Sequence, residues 1–145
     1  MNKNGFSLVE VLVFVSILSI FFVFASAVTV SSLRDMKFNE HKIMATHYSE
    51  ELVEWLRAEK EDDWNVFISH LGTYCFNSLN WSTSGGCTSL GLTPAIYKRQ
   101  ALLEPVNTDC PTSFNCQMDI TIHTYWDDLG KSNDSSIKTA FFVWE

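Results

Sequence analysis

Residues 6–30 read FSLVEVLVFVSILSIFFVFASAVTV, 25 positions in which Glu10 is the only ionisable side chain. As a helix rising 1.5 Å per residue, this stretch reaches about 37 Å, more than the roughly 30 Å of bilayer hydrocarbon. A helix on the surface of a soluble domain keeps one polar face, and a helix that is apolar all round needs an apolar solvent on every side. The segment therefore reads as membrane-spanning, and the rest of the chain has to be interpreted around it. With 145 residues in total, there is room for one domain besides this appendage.

Two kinds of processing fit such an N-terminus. In the secretory form, residues 1–5 with Lys3 are the basic region, residues 11–24 the apolar region, and Ala25, Ser26 and Ala27 the small-residue cleavage site. The product is then a secreted, disulfide-stapled binding domain released after Ala27. Glu10 argues against it, because a carboxylate at the centre of a translocating helix costs about 2.5 to 3.5 kcal/mol. An ionisable residue kept in an apolar span is by default functional.

The run Gly5, Phe6, Ser7, Leu8, Val9, Glu10 gives the second form. A short Lys-bearing leader ending in Gly, then Phe, a small polar residue, two aliphatics, Glu and an unbroken apolar run resembles the type IV pilin family, including minor pilins and pseudopilins. The resemblance implies that a prepilin peptidase cuts between Gly5 and Phe6 and that the new Phe6 amine is N-methylated, giving N-methylphenylalanine. Gly5 suits such a cut, since a residue without a side chain enters a narrow site in extended form. Glu10 then sets assembly register by approaching the Phe6 amine of a neighbouring subunit, a pairing that is strong in low dielectric. The partners implied are other pilin subunits, bound through the N-terminal helix, the prepilin peptidase, and the membrane before assembly. The site implied is the bacterial inner membrane, with an extracytoplasmic head, and afterwards a cell-surface or periplasmic filament.

The helical pattern continues past the apolar run. Leu33, Met36, Ile43, Met44, His47, Tyr48, Leu52, Trp55 and Leu56 recur at spacings of three and four, and no Gly or Pro occurs from residue 6 to residue 71. Many major pilins carry a helix-breaking Pro in the apolar segment, whereas the first Pro here is Pro94. That departure points away from the bulk filament subunit. The acidic block Glu50, Glu51 and Glu54 followed by Arg57 is similar to the end of the stalk in many minor pilins.

The expected fold is α+β and pilin-like: a long N-terminal α-helix, apolar then amphipathic, packed against a small antiparallel β-sheet head. The expected divisions are a leader (1–5), the apolar half of the stalk (6–30), its amphipathic half (31–62) and the head (63–145). In the head, residues 64–71 suggest one or two helical turns, and a Gly/Ser/Thr/Asn-rich stretch runs to Thr93. Strands are expected over 96–103, 117–126 and 137–144, with 127–134 as the hairpin turn.

Cys75, Cys87, Cys110 and Cys116 all lie in the head. Four cysteines allow three pairings, and the near-neighbour set Cys75 with Cys87 and Cys110 with Cys116 closes the shortest loops. Disulfides imply an oxidising, extracytoplasmic compartment. No C-x-x-C pair occurs, His41, His47, His70 and His123 are scattered, and no catalytic signature is present. Asp127, Asp128, Asn133 and Asp134 lack calcium-loop spacing. Neither an enzyme, a metal site nor a cofactor is expected. Ten basic against 17 acidic residues, net −7, make nucleic acid an unexpected partner.

Overall fold

The computed structural model describes residues 7–89, 91–92, 95–106, 116–128 and 130–143. The elements are α1 (Leu8–Asp62), α2 (Trp64–Phe67), β1 (Gly72–Cys75), β2 (Tyr97–Pro105), β3 (Gln117–Asp128) and β4 (Lys131–Phe142). They fall into two compact units, residues 1–40 and 41–145, and α1 contributes to both.

In the first unit every described side chain is exposed. Its helix contains an 18-residue window of mean hydropathy 2.8 that is wholly unburied, so by length and composition it can cross a membrane. Beyond the apolar run the chain becomes charged, and Lys37 pairs with Glu40 at 2.8 Å one turn on.

The second unit lays residues 41–62 of α1 on an antiparallel sheet of order β1-β2-β3-β4. The buried stripe of the helix is Ala45, Ser49, Leu52, Leu56 and Lys60, stepping by four or three so that it stays on one face. Strand parity supplies the other half of the core. Tyr97, Arg99, Ala101 and Leu103 on β2 and Met118, Ile120, Ile122, Thr124 and Trp126 on β3 are buried, while their alternates are more open. Leu52 and Leu56 meet Ala101, Leu103, Ile120 and Ile122 in one cluster. A second cluster joins Ala45 to Tyr97, Trp126 and Leu92. The small side chain of Ala45 leaves room there for two large rings.

The expected α+β architecture, a long helix on an antiparallel sheet, is what forms. Several details differ. Among the described residues there are four strands rather than three, because Gly72–Cys75 pairs with β2 although its sequence has no apolar alternation. β4 begins at Lys131, not at residue 137, so the connection after Asp128 is two residues long and Gly130 takes φ +78°. As an edge strand, β4 needs no apolar residue in its first half, which is why Lys131, Ser132, Asn133 and Asp134 read as a turn. The expected helix face is also shifted: Leu33, Met36, Ile43, Met44 and His47 are exposed, and Ala45, Ser49 and Lys60 are buried in addition to Leu52 and Leu56. Trp144, at the end of the last expected strand, lies outside the described residues.

Polar groups fix how the helix sits. Ser49 Oγ meets Thr124 Oγ1 at 2.8 Å inside the core, and His41 Nδ1 meets Tyr97 Oη at 2.8 Å. Arg99, 1% exposed, donates to the Phe76 carbonyl (3.1 Å), to the Tyr48 carbonyl on α1, and to the Glu51 carboxylate (2.9 Å). Burial pulls its guanidinium below the usual arginine range, and the bond to Glu51 opposes that pull.

The loop after β1 is held by other means. Cys75 and Cys87 form a disulfide with Cα atoms 4.8 Å apart. Trp81 donates Nε1–H to Glu59 at 2.8 Å and stacks on His70 with centroids 4.0 Å apart. Trp55 and Phe76 pack around it. Asp63 caps α2, accepting from the amides of Asn65 and Val66 at 2.9 and 3.1 Å.

Two outcomes follow from these contacts. Arg99→Ala strands Glu51 and two carbonyls, and should lower stability to urea by about 2 to 4 kcal/mol, whereas Glu51→Gln, at a half-exposed position, should cost about 1 kcal/mol. Equal costs for the two would show that the ion pair, not the pair of carbonyl bonds, carries the effect. Replacing Cys75 and Cys87 together by Ser should cost about 2 to 3 kcal/mol and open Trp81 to a soluble fluorescence quencher.

Candidate functional site

The helix begins at Leu8, and the Ser7 carbonyl accepts from the amides of Glu10 (2.9 Å) and Val11 (3.2 Å). Glu10 therefore stands in the first turn, where its charge favours the positive end of the helix dipole. It is exposed, and among the described residues no side chain or backbone group pairs with its carboxylate. Gly5 and Phe6, the other members of the expected site, lie outside the described residues.

Beyond Ser7, the helix around Glu10 offers apolar surface. Leu8 is 82% exposed, Ile17 64% and Phe24 68%. The few hydroxyls are turned inward to the helix backbone: Ser16 to the Leu12 carbonyl at 2.8 Å, Ser19 to Val15 at 2.7 Å, Thr29 to Ala25 at 2.9 Å, and Ser26 to Phe22. Such back-bonding is what a hydroxyl does where no water is available. Ser16 and Ser19 also share a face with Leu8, Val11, Leu12 and Val15, forming a shallow groove. Small residues in such a stripe let a second helix approach closely.

Elsewhere the histidines stay apart from one another among the described residues. His41 bonds Tyr97, His70 stacks on Trp81, His123 reaches Asp134 at 3.4 Å, and His47 is exposed. Among the described residues no group of three His, Cys, Asp or Glu side chains is placed to hold a metal. The acidic residues near the hairpin are split between faces, because Asp127 and Asp134 have one strand parity and Asp128 and Asn133 the other. Cys116 is buried and not a free thiol, while Cys110 lies outside the described residues.

The spacing argument missed Arg99 and, with it, the pairing of Glu51. Arg99 occupies an inward position of the alternating run Tyr97, Arg99, Ala101, Leu103, so a charge of the wrong parity was the available signal. It places one acidic residue of the block before Arg57 in an ion pair that joins helix to sheet.

A family model described as the prokaryotic N-terminal methylation motif matches residues 1–26. No curated protein and no solved structure matches the chain. The matched residues include Gly5, Phe6 and Glu10 and most of the apolar segment. Residues 1–26 therefore carry the prepilin cleavage motif of type IV pilins, at the head of a chain with pilin-like α+β architecture.

Proposed function

We propose that this type IV pilin-like chain is a minor pilin or pseudopilin, a structural subunit of a type IV pilus-like or type II secretion filament. The observation that carries the reading is the methylation motif leading straight into a 55-residue helix whose far part supports a folded head. The chain is held in the inner membrane by residues 6–30 with the head outside, and the same residues later pack among equivalent helices. Three features support this division of labour. Apolar surface covers the helix on all sides, its hydroxyls are satisfied internally, and the Cys75–Cys87 bond needs an oxidising compartment. The absence of Pro before Pro94 supports a low-copy role over that of the bulk subunit.

Assembly chemistry centres on two charges. Cleavage after Gly5 frees the Phe6 amine, which stays cationic when methylated and enters apolar surroundings. Glu10 of an adjacent, staggered helix is the counter-charge, and an unpaired member of such a pair costs about 3 to 5 kcal/mol. Register is set because only one stagger brings the two together.

The mature chain should begin at N-methylated Phe6, and intact mass with N-terminal sequencing of membrane-extracted protein reads this directly. A terminus at Val28 would instead identify the secreted domain. Gly5→Leu should leave the precursor uncut.

Glu10→Ala should be cut, folded and membrane-inserted, yet enter filaments at least about tenfold less well, since the neighbour's amine loses its partner. Quantitative immunoblotting of sheared filaments against membranes measures the ratio. Wild-type incorporation would remove Glu10 from the register mechanism.

A further inference from the structure

Residues 77–89, in the loop after β1, read NSLNWSTSGGCTS and carry no charged side chain. A segment this polar gains little by burial, yet it is fastened to the sheet at several points. The Cys75 amide donates to the Thr83 carbonyl (3.0 Å), the Gly85 amide to the Thr73 carbonyl (2.7 Å), and the Cys75–Cys87 bond ties the far side of the loop to β1. Asn77 is held at both ends of its amide, where Oδ1 accepts from the Arg99 amide at 3.2 Å and Nδ2 donates to the Ser89 carbonyl at 3.1 Å. Gly91 lies so close to it that a Cβ there would stand 2.6 Å from Asn77 Nδ2.

The fastened loop borders a cavity of about 290 Å³. One water takes about 30 Å³, and sites for small organic ligands begin near roughly 300 Å³. Among the described residues the wall has no charged and no aromatic side chain, and Asn77, Ser78, Ser84, Thr88 and Ser89 form much of it. Main-chain groups and the Asn77 amide are spent on holding the loop. The hydroxyls of Ser78, Ser84, Thr88 and Ser89 are not: among the described residues none has a hydrogen-bond partner within the chain, whereas those of Ser16, Ser19 and Thr29 on α1 return to the backbone.

That wall selects a class of ligand. An anion would meet no counter-charge, and a hard cation such as calcium is held by carboxylates, which the wall lacks. An apolar ligand would strand the hydroxyls away from water. A neutral polyol satisfies them, because each of its hydroxyls donates and accepts as those of Ser and Thr do. Exchanging bonds with water for bonds with protein yields little unless the donors and acceptors are already in place, and the fastenings of the loop supply that order.

We propose that the cavity bordered by residues 77–89 is a binding site for a single neutral sugar residue. It belongs to the head alone and does not depend on processing at residues 1–26.

The test uses the full chain in phosphatidylcholine nanodiscs, which contain no sugar, with empty discs as the blank. Methyl glycosides of glucose, galactose, mannose and N-acetylglucosamine are titrated by ligand-observed NMR. At least one should bind saturably with Kd of about 1 to 10 mM. Thr88→Val keeps the shape of the side chain and removes its hydroxyl, so it should weaken that binding about tenfold, and Ser84→Ala should act in the same direction. Ser136→Ala, on β4 and outside the cavity, should leave it unchanged. Glucuronate, a pyranose bearing a carboxylate, should bind at least about fivefold less well than methyl glucoside. Peptide mapping of the Cys75–Cys87 bond confirms that each variant has folded. No saturable binding by any of the four glycosides up to about 50 mM, binding that survives both cavity substitutions as an adventitious contact would, or glucuronate binding as tightly as methyl glucoside would overturn the proposal.

Discussion

A helix that is apolar on every side cannot be covered by a chain this small, and the rest of the molecule is organised around that constraint. Residues 7–30 bury none of their side chains within the chain. Their covering has to come from lipid or from other helices, neither of which offers a hydrogen bond in its interior. This explains why Ser16, Ser19, Ser26 and Thr29 all return their hydroxyls to carbonyls of the same helix. Among the described residues the Glu10 carboxylate has no equivalent partner. One carboxylate at one end of an apolar rod can be satisfied at few positions, whereas apolar contacts alone would allow many.

From His41 onward the same helix obeys different rules, and there the polar groups are buried. A core of Leu52, Leu56, Ile120, Ile122 and Leu103 supplies area but little direction, since aliphatic surfaces tolerate displacement by a turn. Ser49 with Thr124, His41 with Tyr97, and Arg99 with Glu51 and the Tyr48 carbonyl do not. Sliding the helix by one turn would break all three and leave a guanidinium without partners in the core. The desolvation of Arg99 makes the arrangement costly when broken, which is a source of specificity more than of net stability.

The apolar span, the helix as far as residue 62 and the alternation of β3 were readable because each is a periodic pattern in consecutive residues. Cys75 with Cys87 was readable as the pairing that closes the shortest loop open to Cys75, though spacing alone left other pairings open. What was not readable depends on partners distant in sequence. Gly72–Cys75 is a strand because β2 lies beside it, and the polar first half of β4 is a strand because β3 does. The buried helix face was misplaced for the same reason. Ala45 and Ser49 are selected by Tyr97, Trp126 and Thr124, more than 45 residues away, while Ile43 and Met44 looked like core by hydrophobicity. At the N-terminus the order of inference is reversed. There Gly5, Phe6 and Glu10 were legible because the methylation motif is a linear run that needs no distant residue to be recognised.

The head has one more asymmetry with a physical origin. Residues 76–89 contain few apolar side chains, and a loop of that composition gains little by burial. It is ordered instead by the disulfide, by Trp81 inserted among Trp55, Phe76 and His70, and by Asn77, which accepts from the Arg99 amide at 3.2 Å and donates to the Ser89 carbonyl at 3.1 Å. The same fastenings bring residues 83–85 alongside β1 and close that edge of the sheet. Arg99 belongs to both systems, since its side chain holds the helix through Tyr48 and the loop through Phe76. Order in the loop and the seat of the helix are therefore coupled through one buried cation, so a change that frees the loop at Phe76 also weakens the hold on α1.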